Sequence, residues 1–483
     1  MRPGPLLLIA PCILVSPCAI GQDYSTPDQY GFTVESDLVY GIAANYLGVA
    51  DTLRLDIYKP IGNPDTQRPL VVCAHGGSWL AGCKDEPNGI VQLAQQFVKR
   101  GYVVASINYR LGWHKDDYVS DPVAGYPPSL WPEAYRALYA ADTLEIMRAI
   151  YRGMQDMKGA IRYMKERAPQ DSVCVEKVFV AGESAGAFIA LATAFLDRDA
   201  EKPASCAALP DAPAPYFKCA NLTALECEVR EWEVDAPMRA RPDLGPVEGI
   251  LNLNGSDARV RGVAAFYGGV PLDALALDWM QGPDTPSVYL YHQTCDGVVL
   301  SGAGRPYATI STHCNLGATP WHHGLPIMVG SAGLQQLFST LDAPPPLLAD
   351  LQPCDAFNPG LALFECARYG DNGSYHYTAN LPLRAANLSG WWAAIATDPD
   401  ACLSTGQGER SAPLPLAYPQ PASTLLHVPD WAGEPIRILD AAGRTVARMR
   451  VQGEAVDVSG LSPGIYLLRR ERDGLALRAL VHR

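Results

Sequence analysis

The chain has 483 residues, 48% of them hydrophobic and 18% charged. That is enough apolar matter for a large core, and it excludes a mainly disordered chain. A formal net charge of −13 repels phosphate backbones and excludes nucleic acid as the expected partner.

The first 21 residues read as a secretory signal peptide. Arg2 supplies the positive start, Leu6 to Val15 is mostly apolar, and Ala19-Ile20-Gly21 gives a small-x-small cleavage pattern. Pro3, Pro5, Pro11 and Pro17 argue against a core strand there, because each removes a ladder donor. Past this leader no apolar run is long enough to span a membrane, so no integral membrane segment is expected in the exported chain. Of the 13 cysteines, Cys12 and Cys18 fall in the leader, and the remaining eleven lie between Cys73 and Cys402. In an exported chain they predict disulfides. Cys219/Cys227, Cys295/Cys314 and Cys354/Cys366 are the short-range candidates. Cys73, inside the apolar run Leu70 to Ala74, is the candidate free thiol. No C-x-x-C or H-E-x-x-H occurs, so neither a metal site nor a cofactor is expected.

From Leu53 onward strands and helices alternate. Arg54 to Tyr58 and Leu70 to Ala74 read as strands, Ile90 to Lys99 as a helix, and Val103 to Tyr109 as a strand. Tyr151 to Arg167 has apolar residues at helical spacing. Val178 to Ala181 is a strand followed by an apolar helix over Ala185 to Leu196. Arg261 to Tyr267 and Ser287 to His292 are further strands, and Val329 to Leu341 reads as a helix. Such alternation predicts an α/β fold with a mostly parallel sheet covered by helices on both faces. The Pro- and Cys-rich stretch 197–254 reads as a lid or cap insertion.

Composition shifts near residue 411. Ser411 to Ser423 carries four prolines, and beyond it there is neither Cys nor Lys. Residues 421–483 hold nine Arg against seven Asp plus Glu, a balance of +2 in a chain of −13. Short alternating runs follow: Pro435 to Leu439, Thr445 to Val451, Val456 to Val458, Gly464 to Leu468 and Leu475 to Val481. They predict a small antiparallel β-sandwich. The expected partition is a leader over 1–21, a catalytic domain over 22–410, a linker over 411–420 and the sandwich over 421–483.

The strongest chemical signal is Gly182-Glu183-Ser184-Ala185-Gly186, a G-x-S-x-G set between a strand and an apolar helix. The serine of such a turn stands on strained backbone above the sheet, and small residues must flank it two positions either side. The second signal is His75-Gly76-Gly77-Ser78-Trp79, directly after the strand ending at Ala74. Consecutive glycines let backbone N–H groups face a ligand, forming one half of an oxyanion hole, with the Ala185 N–H as the other. His75 is expected to pin this loop. Trp79, Trp113 and Trp131 are candidate walls of a substrate pocket, with core packing as the alternative.

Together with Asp56-Ile57-Tyr58-Lys59-Pro60 and Ile107-Asn108-Tyr109-Arg110-Leu111, these segments resemble the α/β-hydrolase superfamily over residues 35 to 380. The likeness is greatest to its carboxylesterase, hormone-sensitive-lipase-like and bacterial acetyl- or feruloyl-esterase branches. The resemblance implies that the backbone N–H groups of Gly77 and Ser78 line the oxyanion hole, with Ser78 standing where the family has a third glycine. It also implies an acid after a late strand, which Asp296 in Asp296-Gly297-Val298-Val299 matches. The base must follow. Of the nine histidines, His313, His322, His323 and His376 lie between the acid and the tail. One helix and one strand separate acid from base in the fold, so the helical reading of 329–341 favours His376, with His323 as the alternative. In the tail, Tyr418 to Ser423, Asp440-x-x-Gly443-Arg444 and Val458-Ser459-x-Leu461-x-x-Gly464-Ile465-Tyr466 resemble the C-terminal sorting domain of type IX secretion cargo in Bacteroidetes. This implies the type IX machinery as a partner and release or attachment outside the cell.

The expectation is therefore a secreted serine carboxylic-ester hydrolase acting on acylated plant polysaccharides or small esters. A serine peptidase on the same fold and a non-catalytic binding or adhesion protein are the alternatives.

Overall fold

Apolar runs long enough to be buried on both faces line up as neighbours in one sheet. The computed structural model describes residues 22–87, 89–114, 140–213, 238–272, 280, 282, 285–307, 325–354, 375–398, 424–428, 431–440, 445–453, 455–462, 464–472 and 476–481. The expected leader 1–21, the linker 411–420, Trp131 and the centre of the 197–254 insertion lie outside them, as do His313, His322 and His323.

The eight strands of the main sheet are β1 (Gly31–Ala44), β2 (Ala50–Ile61), β3 (Arg68–Ala74), β4 (Val103–Ile107), β5 (Val173–Glu183), β6 (Gly262–Phe266), β7 (Ser287–Gln293) and β8 (Leu347–Gln352), in the order β1-β2-β4-β3-β5-β6-β7-β8. From β4 to β8 every neighbouring pair is parallel, while β2 runs antiparallel to β1 and β4. The helices are α1 (Ile90–Val98), α2 (Leu144–Glu166), α3 (Ala185–Phe195), α4 (Ser331–Phe338) and α5 (Leu381–Thr397). Side chains alternate along each strand between two cores. On β3, Leu70, Val72 and Ala74 join the core that packs α2, α3 and α4. Val71 and Cys73 face the core of α1 and α5, where Phe97 and Trp392 stack. The sheet is covered on both faces, which is why its parallel strands are continuously apolar.

Cys73 is a buried free thiol, as expected, and Cys206 is another. The suggested pairs Cys295/Cys314 and Cys354/Cys366 are overturned: Cys295 is bonded to Cys354. The ladder explains the pairing. Gln293 on β7 stands opposite Gln352 on β8, so the residues two further along each parallel strand arrive together. Cys83 and Cys174 each take part in a disulfide of their own, while the suggested pair Cys219/Cys227 lies outside the described residues. The helix expected over 329–341 is shorter. Met328–Gly330 is a strand instead, because its backbone is already paired to Gly269–Pro271 and to Gly302.

Helix α2 carries more charge than a helix buried along most of its length should tolerate. The reason is that Arg148, Lys158 and Arg162 are consumed by groups of residues 196–251. Arg148 donates to the carbonyls of Ser205, Ala207 and Pro242. Lys158 reaches Leu196 O and Glu248, and Arg162 reaches Leu251 O, Glu248 O and the Glu248 carboxylate. Both described limbs of the 197–254 segment are thus strapped to α2, and Leu209–Pro213 pairs antiparallel with Met238–Arg241.

The tail strands are β9 (Leu425–His427), β10 (Pro435–Asp440), β11 (Thr445–Arg450), β12 (Ala455–Asp457), β13 (Gly464–Arg470) and β14 (Ala476–Val481). A four-stranded antiparallel sheet β11-β10-β13-β14 and the pair β9-β12 enclose their own core around Leu426, Trp431, Ile438, Val456 and Leu468. Arg470 lies over the Trp431 ring at 5.1 Å.

Arg162→Met keeps most of the buried stem but leaves the carbonyls of Leu251 and Glu248 without their donor. The expected cost is about 3 kcal/mol, read as a lower urea midpoint than wild type.

Candidate active site

The G-x-S-x-G turn is built as its glycines require. Ser184 has φ 50° and ψ −120°, a left-handed conformation between β5 and α3. A Cβ on Gly182 would run into the Gly186 carbonyl, and one on Gly186 would run into the carbonyls of Ala74 and His75 at the end of β3. The turn is held open from the other side, where Ser184 N donates to Phe266 O at the end of β6 (2.9 Å).

His376 Nε2 lies 2.7 Å from Ser184 Oγ, and His376 Nδ1 lies 2.8 Å from Asp296 Oδ2. Residues 184, 296 and 376 therefore converge on one hydrogen-bonded chain, with α4 and β8 between acid and base. Asp296 is buried, and its Oδ1 accepts the backbone N–H groups of Val298 (2.8 Å) and Val299 (3.0 Å). Burial pushes its carboxyl up, but His376 and His292 together hold it below the ordinary carboxylate value. Asp296 is thus ionised at neutral pH, as the partner of an imidazolium must be.

Three holding interactions were not legible in the sequence. His292, the last residue of the strand read over Ser287 to His292, has Nε2 3.3 Å from Asp296 Oδ2 and 2.8 Å from Val299 O, so a second imidazole flanks the acid. Gln293, the last residue of β7, donates through Nε2 to Tyr375 O (2.9 Å) and Tyr377 O (3.0 Å), the carbonyls either side of His376. Tyr291 Oη accepts the Ala379 N–H at 2.9 Å, just before α5 begins. The strand that presents the acid therefore also grips the loop that presents the base. The Cys295–Cys354 disulfide, one residue before Asp296, ties the same strand ends covalently.

Gly76 lies against the nucleophile, where an added Cβ would stand 3.2 Å from Ser184 Cβ. Gly77 has φ 105°, and Ser78 and Trp79 have φ 54° and 57°, so the loop turns through three consecutive left-handed residues. Among the described residues, the N–H groups of Gly77, Ser78 and Ala185 have no backbone acceptor. The Ser78 hydroxyl shares a 2.8 Å hydrogen bond with Tyr307 Oη. His75 pins the loop: its Nδ1 is 2.7 Å from Gly76 O, and its ring stacks on Tyr109 at 4.4 Å. Burial pushes this imidazole down to about 4. Trp79 and Trp113 meet edge to face at 6.3 Å, and Trp79 meets Phe188 at 5.3 Å. Trp79 is 7% exposed; Trp113, at 1%, packs behind it in the core. Phe188, one turn past Ser184 on α3, also lines a small apolar pocket with Met147, Ile150, Leu191, Phe195 and Val270.

A hydroxyl beside an imidazole, itself backed by an ionised carboxylate, is an arrangement that can act as a nucleophile with its base and orienting acid. Loop amides beside the hydroxyl are of the kind that can donate to an oxyanion.

The family model BD-FAE matches residues 55–117, the model described as alpha/beta hydrolase fold matches residues 150–230, and the secretion system C-terminal sorting domain matches residues 416–478. No curated protein matches the chain. Among solved structures, the apo form of Thermogutta terrifontis esterase 2 is similar at 16% identity, over 72% of this chain and 95% of that one, with a TM-score of 0.36. The paraoxon-phosphorylated form of the same esterase is similar at 16% identity over 72% and 94%, with a TM-score of 0.35. A truncated carbohydrate esterase from gut microbiota is similar at 15% identity over 74% and 98%, with a TM-score of 0.36.

Two outcomes are expected here. Gln293→Ala releases both carbonyls flanking His376, and capture of Ser184 by a fluorophosphonate slows about tenfold, measured by labelling rate. His75 and His114 are both buried, and burial holds each imidazole down at about 4 instead of 6.5. Below pH 6.5 the unfolded chain takes up protons that the fold refuses. Stability is therefore full above that pH and falls on the way to pH 4, by roughly 3 kcal/mol for each ring. Urea midpoints at pH 7 and 4.5 measure the slope, which His114→Leu makes shallower.

Proposed function

We propose that this chain, an α/β-hydrolase fold followed by a secretion sorting domain, is a secreted serine esterase. The observation that carries the reading is the His376 imidazole, 2.7 Å from the Ser184 hydroxyl and 2.8 Å from the Asp296 carboxylate.

In the proposed reaction His376 Nε2 takes the Ser184 proton as Oγ attacks the ester carbonyl carbon. Negative charge moves onto the carbonyl oxygen, where the N–H groups of Gly77, Ser78 and Ala185 receive it. Each such donor contributes about 3 kcal/mol to lowering the barrier. Asp296 holds the Nδ1–H tautomer and stabilises the imidazolium. When the tetrahedral intermediate collapses, His376 returns the proton to the leaving alcohol and an acyl-Ser184 ester remains. Water then attacks that ester, with His376 again as base, and the carboxylic acid leaves. Ser184 regains its proton. Trp79, backed by Trp113 and in contact with Phe188, forms the wall beside the reacting carbonyl.

The reading includes the partition stated from the sequence: leader 1–21, catalytic domain 22–410 with a lid or cap at 197–254, linker 411–420 and sorting domain 421–483. The sorting-domain match over 416–478 supports passage through the type IX machinery to the outside of the cell. The substrate class is a carboxylic ester, either an acylated polysaccharide or a small ester.

Ser184→Ala is expected to lower kcat on an aryl acetate by about five orders of magnitude and to abolish fluorophosphonate labelling. Asp296→Asn is expected to cost about four orders of magnitude with the fold intact. Labelled wild type that hydrolyses peptide amides but no ester would replace the reading with a peptidase. Wild type that neither labels nor hydrolyses would replace it with a binding protein.

A further inference from the structure

Glu183 stands between Gly182 and the nucleophile, and the acyl-transfer scheme gives it no task. Its side chain turns inward rather than to solvent. The carboxylate accepts hydrogen bonds from the Tyr267 hydroxyl (2.9 Å) and from the backbone N–H of Gly76. Gly89 leaves the room for it, since a Cβ there would run into Glu183 Oε1. These partners belong to different parts of the site. Gly76 is the first glycine of the loop after β3 and lies against Ser184. Tyr267 follows β6 with φ 42°, its N–H bound to Tyr291 O at 2.7 Å, and its ring meets the His376 ring edge-on at 4.6 Å. One carboxylate therefore touches the oxyanion loop directly and the base through a single aromatic ring, from the residue next to the nucleophile.

We propose that Glu183 is a positioning residue of the reaction: it locks nucleophile turn, oxyanion loop and general base into one unit, and its charge stabilises protonated His376. The inference rests on the esterase reading above.

The charged and titratable groups around Glu183 come from every side of the pocket. Glu86, from the loop before α1, opposes its charge; His376 attracts it. Tyr267 donates to it, and Cys73 on β3 and Tyr109 after β4 are buried within its field. Burial pushes the Glu183 carboxyl above its usual value, against the pull of Tyr267, Gly76 and His376. His376 itself faces Asp296, Ser184, Glu183 and the Tyr267 ring. Removing the Glu183 charge thus removes one of two carboxylates that favour the imidazolium.

The test is the pH profile of kcat/KM on an aryl acetate, whose acidic limb reports the free enzyme's base. Glu183→Gln keeps size and one acceptor but loses the charge. Its acidic limb is expected to move down by about half a pH unit or more, with kcat lower by about tenfold. KM is expected to change little. Tyr267→Phe cuts the link to His376 without changing charge. It is expected to lower kcat about threefold and leave the limb in place. A purely structural role would lower both variants' activity without moving either limb. If Glu183→Gln overlays wild type, or if its limb stays put while kcat falls, the proposal is overturned. Should that variant fail to fold, Tyr267→Phe decides: wild-type kcat in it overturns the proposal. Wild type that hydrolyses no ester instead overturns the esterase reading, which keeps the two failures distinct.

Discussion

Everything in the site depends on one strained residue. Ser184 is held at φ 50° by the packing of a strand, a helix and the end of β3, all closer than any side chain larger than hydrogen permits at Gly182 or Gly186. Strain of this kind persists only where the surroundings over-determine it. Here the surroundings are the most buried parts of the molecule: β3, β5 and β6 at the centre of the sheet, and α3, almost wholly buried along its length. The core supplies the free energy that keeps a single hydroxyl raised above the sheet edge.

The other groups are delivered to that hydroxyl by strand ends. In a parallel sheet all the carboxyl ends open on one side, and side chains placed just past them meet there. Ser184 follows β5, His75 to Ser78 follow β3, Tyr267 follows β6 and Asp296 follows β7. His376 comes after β8 in the chain and lies just before α5. The segment around it is held by Gln293 and Tyr291, and its own ring by Tyr267 and Asp296.

Much of this was legible in the residues. Strands β3 to β7 announce themselves by uninterrupted apolar runs, and the serine by glycines at fixed offsets between a strand and a helix. His376 was favoured over His323 by the order of elements that the family resemblance implies. What escaped has physical reasons. Strand β1 is an edge with register irregularities at Glu35/Leu38 and Val39/Gly41, which break the alternation that would reveal it. Strand β8 is half-buried throughout and includes Asp350, so no apolar stripe marks it. Helix α5 starts with Leu381-Pro382, and its cap is Asn380 in a left-handed conformation, a signal weak by itself. The cysteine pairing failed because it was judged by distance along the chain, whereas register between β7 and β8 decides it. His292, Gln293 and Glu183 were passed over for a related reason. Each sits in or beside a strand that reads as scaffold, and the partners of Gln293 and Glu183 are 82 and 84 residues away.

The sulfur–sulfur link between residues 295 and 354 gives that scaffold a chemical history. While thiols are kept reduced, the ends of two adjoining strands are joined by hydrogen bonds alone, and the carboxylate next to one of them lacks its covalent tie. Oxidation closes the fastening. Protein purified from a reducing cytosol and protein recovered from an oxidising medium therefore share a sequence while differing in how firmly the acid is anchored beneath its imidazole.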